Sequence, residues 1–495
     1  MKPSSFFGKM LCTMFVVQSI TVSAQSIRFS EFYDIDNTAG VLSKLVLLED
    51  ENLFVIGGGT SGNYETGYHI LVDPFGTVVQ SHGYSLAGQS IKPRGAIKGI
   101  MSSSLYVSGY YCNFSVPSPS YCDFYFGKLD ETGDTIFTKI YERKDTCEAL
   151  LDMIQTRPNK IMLIGWTCND TTQDNTELMF ITVDTLGNEV NRVVWGINSN
   201  DYVHSGLVIN EDGEVLLTGW SGPHTWLLKT DSIGNVLWNR SYPFLSPASI
   251  GDGGTRVLQL PDGNFAILGG SGNASTGDSD GYILKVNPNG DQLWTRKYIA
   301  TNGSQSFWGG HALPDGGILA CGQTTNTDDD SQAGWLVKTD ANGDTLWTRT
   351  YNPSGLIDRL LNMLVMPNGD IVMVGSGRDT GQTNQDGWIL RVDSMGCLVE
   401  GCGAVGIEEQ LVIGNDQFSI WPNPASESLS FTIQGLKLEK IELSVTDMQG
   451  RTILNYYPKT LNFELSVAEW PVGIYLISLS DNDGNRYTKR LVVQD

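Results

Sequence analysis

From about residue 40 to residue 400 the chain is written in short apolar runs separated by turns rich in Gly, Asn and Asp, the pattern of β-strands rather than helices. One unit recurs. An apolar strand ends in a cation and then Asp or Asn, a turn with Gly follows, and the next strand carries Trp. The clearest copies are Trp226-Leu-Leu-Lys-Thr-Asp-Ser-Ile-Gly-Asn-Val-Leu-Trp238, Tyr282-Ile-Leu-Lys-Val-Asn-Pro-Asn-Gly-Asp-Gln-Leu-Trp294 and Trp335-Leu-Val-Lys-Thr-Asp-Ala-Asn-Gly-Asp-Thr-Leu-Trp347. Weaker copies bring the turn glycines to Gly76, Gly133, Gly187, Gly234, Gly290, Gly343 and Gly396, spaced by 57, 54, 47, 56, 53 and 53 residues. A second hairpin precedes each unit, as in Leu260-Pro-Asp-Gly263, Leu313-Pro-Asp-Gly316 and Met366-Pro-Asn-Gly369. In these turns Pro presets φ and Gly supplies a positive φ. Two hairpins make four strands per repeat. Seven such repeats predict an all-β chain built as a seven-bladed β-propeller.

The last repeat is incomplete. It ends at Trp388-Ile-Leu-Arg-Val-Asp-Ser-Met-Gly396 and lacks the Trp-x-Arg-x-Tyr strand of Trp238/Arg240/Tyr242, Trp294/Arg296/Tyr298 and Trp347/Arg349/Tyr351. Phe29-Ser-Glu-Phe-Tyr33 has the same two-residue spacing, so the N-terminal segment is expected to supply the outer strand of the last blade and cover its edge. The recurring Trp, Arg and Tyr share one strand face, and their repetition points to packing between blades. Lys229, Lys285, Lys338 and Arg391 stand two residues before Asp231, Asn287, Asp340 and Asp393, which predicts a blade-edge ion pair or turn contact.

Charge narrows the partners. The chain carries a net −23, of which −3 lies in the last 81 residues and +2 in the first 24, leaving −22 on the middle. A surface this acidic repels phosphate backbones, so nucleic acid is not an expected partner. Lys2 and Lys9, the apolar run Met10–Val17 and Val22-Ser-Ala24 read as a signal peptide cut before Gln25. No later run approaches the ~18 apolar residues of a transmembrane helix. Beyond the leader's Cys12, seven cysteines suit an oxidising compartment. Cys112 and Cys122, Cys147 and Cys168, and Cys397 and Cys402 are disulfide candidates, while Cys321 reads as a buried apolar residue.

After residue 402 the repeat stops. A linker of residues 403–414 leads into short alternating strands that suggest a small β-sandwich over 415–495. This tail contains Pro422-Asn423-Pro424, Asp447-x-x-Gly450-Arg451, Gly473-Ile-Tyr475 and Lys489-Arg-Leu491-Val492-Val493. Motif for motif it resembles the type A sorting domain of the type IX (Por) secretion system. The resemblance implies Sec export, recognition of the tail by the type IX machinery as partner, and a product released or attached at the cell surface. The propeller repeats resemble secreted arrays of mostly unassigned function and quinoprotein-type propellers, without a quinone or calcium ligand set to carry over.

No G-x-S-x-G, H-E-x-x-H or P-loop motif occurs, and the histidines at 69, 82, 204, 224 and 311 are scattered, so no catalytic residue is assigned. Asp278, Asp280, Asp328 and Asp330 lie in acidic loops that resemble fragments of calcium sites; no cofactor is otherwise expected. Aligning the first strands pairs Glu148 with Asp358 and, just ahead of its strand, Asp252, which suggests an acidic ring at one mouth of the central channel that would bind a cation or a basic ligand. The tight turns should share one face and the longer loops (58–66, 110–122, 169–176, 271–280, 323–333, 376–386) the other, where binding is expected. The reading is therefore a signal peptide (1–24), a seven-bladed propeller (25–402), a linker (403–414) and a sorting sandwich (415–495). The propeller is expected to be a binding module for a glycan, protein or surface partner. The second reading is a secreted hydrolase or lyase working at the channel mouth.

Overall fold

The computed structural model describes residues 27–34, 39–61, 64–84, 89–113, 121–142, 147–168, 176–196, 201–221, 224–242, 252–272, 278–300, 303–326, 331–378, 384–399, 418–421, 425–433, 441–447, 452–468, 470–471, 473–480 and 486–493. The expected leader (1–24) and the expected linker (403–414) lie outside them. The chain divides into two compact units, Met1–Ala404 and Val405–Asp495.

The first unit opens with β1 (Phe29–Tyr33). Blade 1 is β2 (Ala39–Leu47), β3 (Leu53–Ser61), β4 (Tyr64–Val72) and β5 (Val78–Tyr84). Blade 2 is β6 (Gln89–Lys98), β7 (Leu105–Asn113), β8 (Tyr121–Leu129) and β9 (Thr135–Tyr141). Blade 3 is β10 (Cys147–Arg157), β11 (Lys160–Cys168), β12 (Thr176–Val183) and β13 (Glu189–Trp195). Blade 4 is β14 (Asp201–Val208), β15 (Val215–Ser221), β16 (His224–Thr230) and β17 (Val236–Tyr242). Blade 5 is β18 (Asp252–Gln259), β19 (Phe265–Gly272), β20 (Ser279–Val286) and β21 (Gln292–Tyr298). Blade 6 is β22 (Gln305–Ala312), β23 (Ile318–Thr325), β24 (Gln332–Thr339) and β25 (Thr345–Tyr351). Blade 7 takes β26 (Ile357–Val365), β27 (Ile371–Arg378) and β28 (Asp386–Val392) from the end of the unit and β1 from its start.

Every blade is an antiparallel sheet, a meander in blades 1 to 6. Its second and third strands are buried on both faces, as along Ile161–Leu163 and Met179–Val183, which is why they read as continuous apolar runs. The fourth strand is largely exposed. The cores lie between blades, for example Leu216, Leu227, Tyr242, Val257 and Tyr282 between blades 4 and 5.

The seven turn glycines all adopt positive φ, from 73° to 91°. The Asp or Asn that opens each turn closes it: Asp231 Oδ1 accepts from the Ile233 (3.0 Å) and Asn235 (2.9 Å) amides. In three blades the cation two residues earlier reaches the other hairpin of its own blade. Lys229 pairs with Glu214 (2.7 Å), Lys285 with Asp262 (2.7 Å) and Arg391 with Asp370 (2.8 Å).

Four outer strands lock their blades to the next by one device. Tyr141, Tyr242, Tyr298 and Tyr351 donate to the carbonyls of Gly187, Gly290, Gly343 and Gly396 at 2.9, 2.7, 2.7 and 2.7 Å. The Trp of the motif lies against the same glycine; a Cβ at Gly343 would come within 2.7 Å of the Trp294 ring. The intervening Arg240, Arg296 and Arg349 sit over Trp238, Trp294 and Trp347.

β1 repeats this device at the closure, as its spacing predicted. It pairs antiparallel with β28, Phe29 opposite Arg391 and Tyr33 opposite Gly387. The Phe29 ring lies against Gly76, and Tyr33 donates to the Gly76 carbonyl (2.7 Å). Trp388 Nε1 donates to Ser30 Oγ (3.0 Å), Arg28 pairs with Asp393 (3.0 Å), and Arg391 Nη1 donates to the Pro74 carbonyl (2.9 Å).

Cys112 and Cys122 form a disulfide across β7 and β8. Cys168 and Cys397 are disulfide-bonded too. Cys147 stands opposite Cys168 in register, but its side chain, like Cys402, lies outside the described residues. Cys321 is free and buried, and burial pushes its thiol up to about 12.

In the second unit, β29 (Phe418–Trp421), β30 (Ser428–Ile433) and β33 (Asn462–Ser466) form one sheet. The other contains β31 (Glu442–Asp447), β32 (Thr452–Tyr456), β34 (Gly473–Ser480) and β35 (Arg486–Val493). Both contribute to one core that includes Leu429, Phe431, Leu443, Val445, Tyr475, Leu491 and Val493. Gly473 begins β34, and Lys489 and Val492 lie in β35. Pro422, Asn423, Pro424, Gly450 and Arg451 lie outside the described residues.

Candidate functional site

The first strands of neighbouring blades pack against one another around the ring and form its inner wall. Each contains a register shift at the same place: Leu42/Lys44, Pro93/Gly95, Leu150/Asp152, Val203/Ser205, Gly254/Arg256, Phe307/Gly309 and Leu360/Asn362. A bulge re-aims side chains and bends the strand. The skipped residues are Ser43, Arg94, Leu151, His204, Thr255, Trp308 and Leu361, a different chemistry in almost every blade. The fold is repeated at this level and the side chains are not.

Within the ring an ion pair crosses from blade 1 to blade 3. Lys44 Nζ reaches Asp152 Oδ1 at 2.8 Å, and Asp152 also accepts the Gly206 and Met153 amides (3.2 and 3.0 Å). Burial holds the Lys44 ammonium below its usual range, opposed by Asp152. His204 packs against Trp220 (ring centroids 4.6 Å) and lies 6.0 Å from Trp308 of blade 6. Burial, aided by Arg94, lowers His204 to about 4, so its imidazole is neutral at pH 7. These groups are engaged with one another. Among the described residues no nucleophile and base are paired there for attack.

A cleft of about 500 Å³ opens where blades 7, 1 and 2 meet. Its wall comes from the starts of first strands (Val41, Lys92, Pro93, Arg94, Arg359), the ends of second strands (Gly58, Gly59, Thr60, Arg378) and the starts of third strands (Glu65, Gln385). These ends lie opposite the tight turns, on the face of the 58–66 and 376–386 loops. The cleft therefore sits on the face where the sequence placed binding.

Four cations and one acid line it. Lys92 is paired with Glu65. Arg359 donates to Ser376 Oγ (3.0 Å) and Gln385 Oε1 (2.7 Å), both neutral, and burial lowers its pKa. Arg94 lies over the Tyr110 ring at 5.8 Å. The Nε atoms of Arg94 and Arg378 are buried without a hydrogen-bond partner. Among the described residues none of the three guanidinium groups has a carboxylate partner.

The acids singled out in the sequence stand elsewhere. Glu148 and Asp358 occupy equivalent second positions of β10 and β26, opposite Thr167 and Gly377. Both are buried, at 1% and 0% exposure, rather than displayed on a rim. Burial raises Asp358 to about 6, against hydrogen bonds from the Ser354 hydroxyl (2.8 Å) and amide (3.1 Å). Asp252 begins β18, and its side chain lies outside the described residues. Asp280 is paired with Lys297 (3.0 Å), Asp278 lies one residue ahead of β20, and Asp328 and Asp330 lie outside the described residues. Among the described residues no three His, Cys, Asp or Glu side chains converge as a metal site.

Sequence reasoning missed both the bulges and the cleft. Lys92-Pro93-Arg94, two cations in an inner strand, was the local signal. Arg359 and Arg378 join it only because the ring closes.

Residues 419–494 match the secretion system C-terminal sorting domain family. Over 163 residues the chain is 26% identical to the endo-acting ulvan lyase of Formosa agariphila, a match covering 31% of this chain and 28% of that one. The matched stretch is thus less than a third of that curated relative. Among solved structures, the periplasmic gluconolactonase PpgL of Pseudomonas aeruginosa is similar at 12% identity, over 62% of this chain and 85% of that one, with a TM-score of 0.43. The NanB sialidase of Streptococcus pneumoniae is similar at 10% identity, over 74% and 70%, with a TM-score of 0.44. PorZ of Porphyromonas gingivalis, a surface component of the type IX secretion system, is similar at 10% identity over 91% and 74%, with a TM-score of 0.24. The tail marks this chain for type IX export to the cell surface or the medium. Among the described residues no helix is long and apolar enough to cross a membrane.

Proposed function

We propose that the exported propeller is a binding module whose ligand sits in the loop-face cleft of blades 7, 1 and 2. The observation that carries this reading is the cleft itself: about 500 Å³, within the range of small-ligand pockets, and lined by polar donors left over from the fold. A rigid ring that presents non-repeating residues on one face is a common way for such folds to bind. The groups inside the ring favour binding over catalysis, since Lys44 and Asp152 are paired with each other and His204 is packed against Trp220.

The second reading is a lyase, and the 26% identity with the ulvan lyase of Formosa agariphila favours it. A lyase needs a base that removes a proton next to a carboxyl group and a cation that steadies the charge which develops. The cleft supplies cations, and its one acid, Glu65, is paired with Lys92.

The test is a glycan and protein binding screen of the purified full chain, run beside a lyase and hydrolase panel. Saturable binding without product formation supports the module. Turnover that survives replacement of every cleft residue would move the function elsewhere.

A further inference from the structure

We infer that the cleft takes an acidic saccharide, a sugar segment bearing carboxylate or sulfate groups. The inference deepens the binding reading above and rests on it.

Charge is the first argument. The chain is −23 overall, yet this cleft gathers Lys92, Arg94, Arg359 and Arg378 against Glu65 alone. A local reversal of sign inside an acidic protein is not explained by solubility. After the Lys92–Glu65 pair is set aside, three guanidinium groups remain without a carboxylate among the described residues. Guanidinium is the side chain suited to carboxylate and sulfate oxygens, because its fork of donors binds two oxygens at once.

The state of those donors is the second argument. The fold holds Arg359 with two neutral acceptors, Ser376 and Gln385, which fix the head without neutralising it. Arg94 is held by the Tyr110 ring, which likewise leaves its charge in place. Its Nε and that of Arg378 are buried without a hydrogen-bond partner, so the fold itself does not compensate these heads, and negative charge brought to the cleft would. Three orientated, uncompensated cations form a site prepared for negative charge.

The rest of the lining argues for a sugar. Ser43, Thr60 and Gln385 offer hydroxyl and amide groups, and Gly58 and Gly59 let a ligand approach the backbone. The mouth lies on the loop face and so accepts a polymer passing across it. Nucleic acid, the other common polyanion, would have to approach a propeller carrying about −20 overall.

The experiment measures binding of polygalacturonate, dextran sulfate, neutral dextran and poly-L-glutamate to the full chain by calorimetry. The variants are Arg378→Gln, Arg378→Glu and the triple Arg94→Gln/Arg359→Gln/Arg378→Gln. Thermal melting is recorded for each. Arg378→Gln is the variant least dependent on folding, because the Nε it removes has no partner. The expected result is binding of polygalacturonate or dextran sulfate, weakened several-fold by Arg378→Gln and roughly tenfold or more by Arg378→Glu and the triple variant. Added salt should weaken it further. The acid polymer bound more tightly tells carboxylate from sulfate. Dextran bound as well as the charged polymers would overturn the acidic ligand and leave the binding module standing. Poly-L-glutamate bound as tightly as the acidic glycans would overturn the saccharide. Affinity unchanged in folded Arg378→Glu, or no binding of either acidic glycan, would overturn the inference, while saturable binding of another ligand in the broader screen would still sustain the module.

Discussion

On the tight-turn face, Tyr141, Tyr242, Tyr298 and Tyr351 all do the same thing, each donating to a glycine carbonyl of the following blade. On the inner wall of the ring, the residues after the first-strand bulges include Lys44, Asp152, Arg256 and Asn362, and no two blades present the same pair of groups there. Even the arginines divide along this line. Arg240, Arg296 and Arg349 recur at one position and lie over a Trp; Arg94, Arg359 and Arg378 occupy unrelated positions and share a cleft. Where the same contact is made from blade to blade, the sequence repeats. Where it must be made once, the repeat is abandoned, and that is where a ligand can be recognised.

Four perturbations sharpen this division. The largest effect is expected from deleting the chain through Tyr33. It exposes the edge of β28 and removes Phe29 and Tyr33 from the core between blades 7 and 1. Loss of two such aromatic anchors costs on the order of 5 kcal/mol or more. The truncated chain should melt far below the wild type or fail to fold; a melt within a few degrees would mean that the last blade does not depend on β1.

Asp370→Ala comes next. Arg391, 1% exposed, would be left buried without its carboxylate, a loss of about 3–5 kcal/mol. Urea unfolding checks it. Asp231→Ala, at an exposed turn, should cost about 1 kcal/mol or less by comparison.

Asp358 tests the loop face. Its carboxyl titrates near 6 when folded and near 3.8 in the ordinary case, so the folded state holds the extra proton between those values. Stability therefore falls as pH rises through that window, and the full penalty is present above about pH 6. Asp358→Asn should be more stable than wild type at pH 8, by at most about 3 kcal/mol, and equal to it below pH 4. Urea titrations at the two pH values show whether the gap opens in that direction. A variant that is less stable at pH 8 would mean that the Ser354 hydrogen bonds to the ionised carboxylate outweigh its burial.

The smallest effect is that of Tyr298→Phe. One hydroxyl-to-carbonyl bond is lost, about 1 kcal/mol. The same substitution at Tyr242 and Tyr351 should give matching shifts in thermal melting, since all three make the same bond at 2.7 Å.

Legibility followed the same division. Gly290 and Gly343 announced their turns because only glycine takes φ near +82° without strain, and those turns fixed the blade count. Phe29 and Tyr33 announced the closure because they carry the spacing of the Trp-x-Arg-x-Tyr strut. The bulges left no comparable mark, since a register shift needs the partner strand to be seen. The cleft was hidden for another reason. Lys92 and Arg378 are far apart in sequence and become neighbours only through closure, while the strong acidity of the chain drew attention to Glu148 and Asp358. Those two align as the sequence suggested, but the ring packs their side chains away from solvent.

The most direct measurement sets the two arginine sets against each other. Arg94, Arg359 and Arg378 are changed to Gln in one protein, and Arg240, Arg296 and Arg349 in another, so that both lose the same charge. Affinity for polygalacturonate or dextran sulfate and thermal melting are measured for both. The cleft variant should lose roughly tenfold or more in affinity, and the strut variant should melt lower with affinity changed by no more than about twofold. Equal loss of affinity in the two proteins would contradict the account, because binding would then follow total charge and not the cleft.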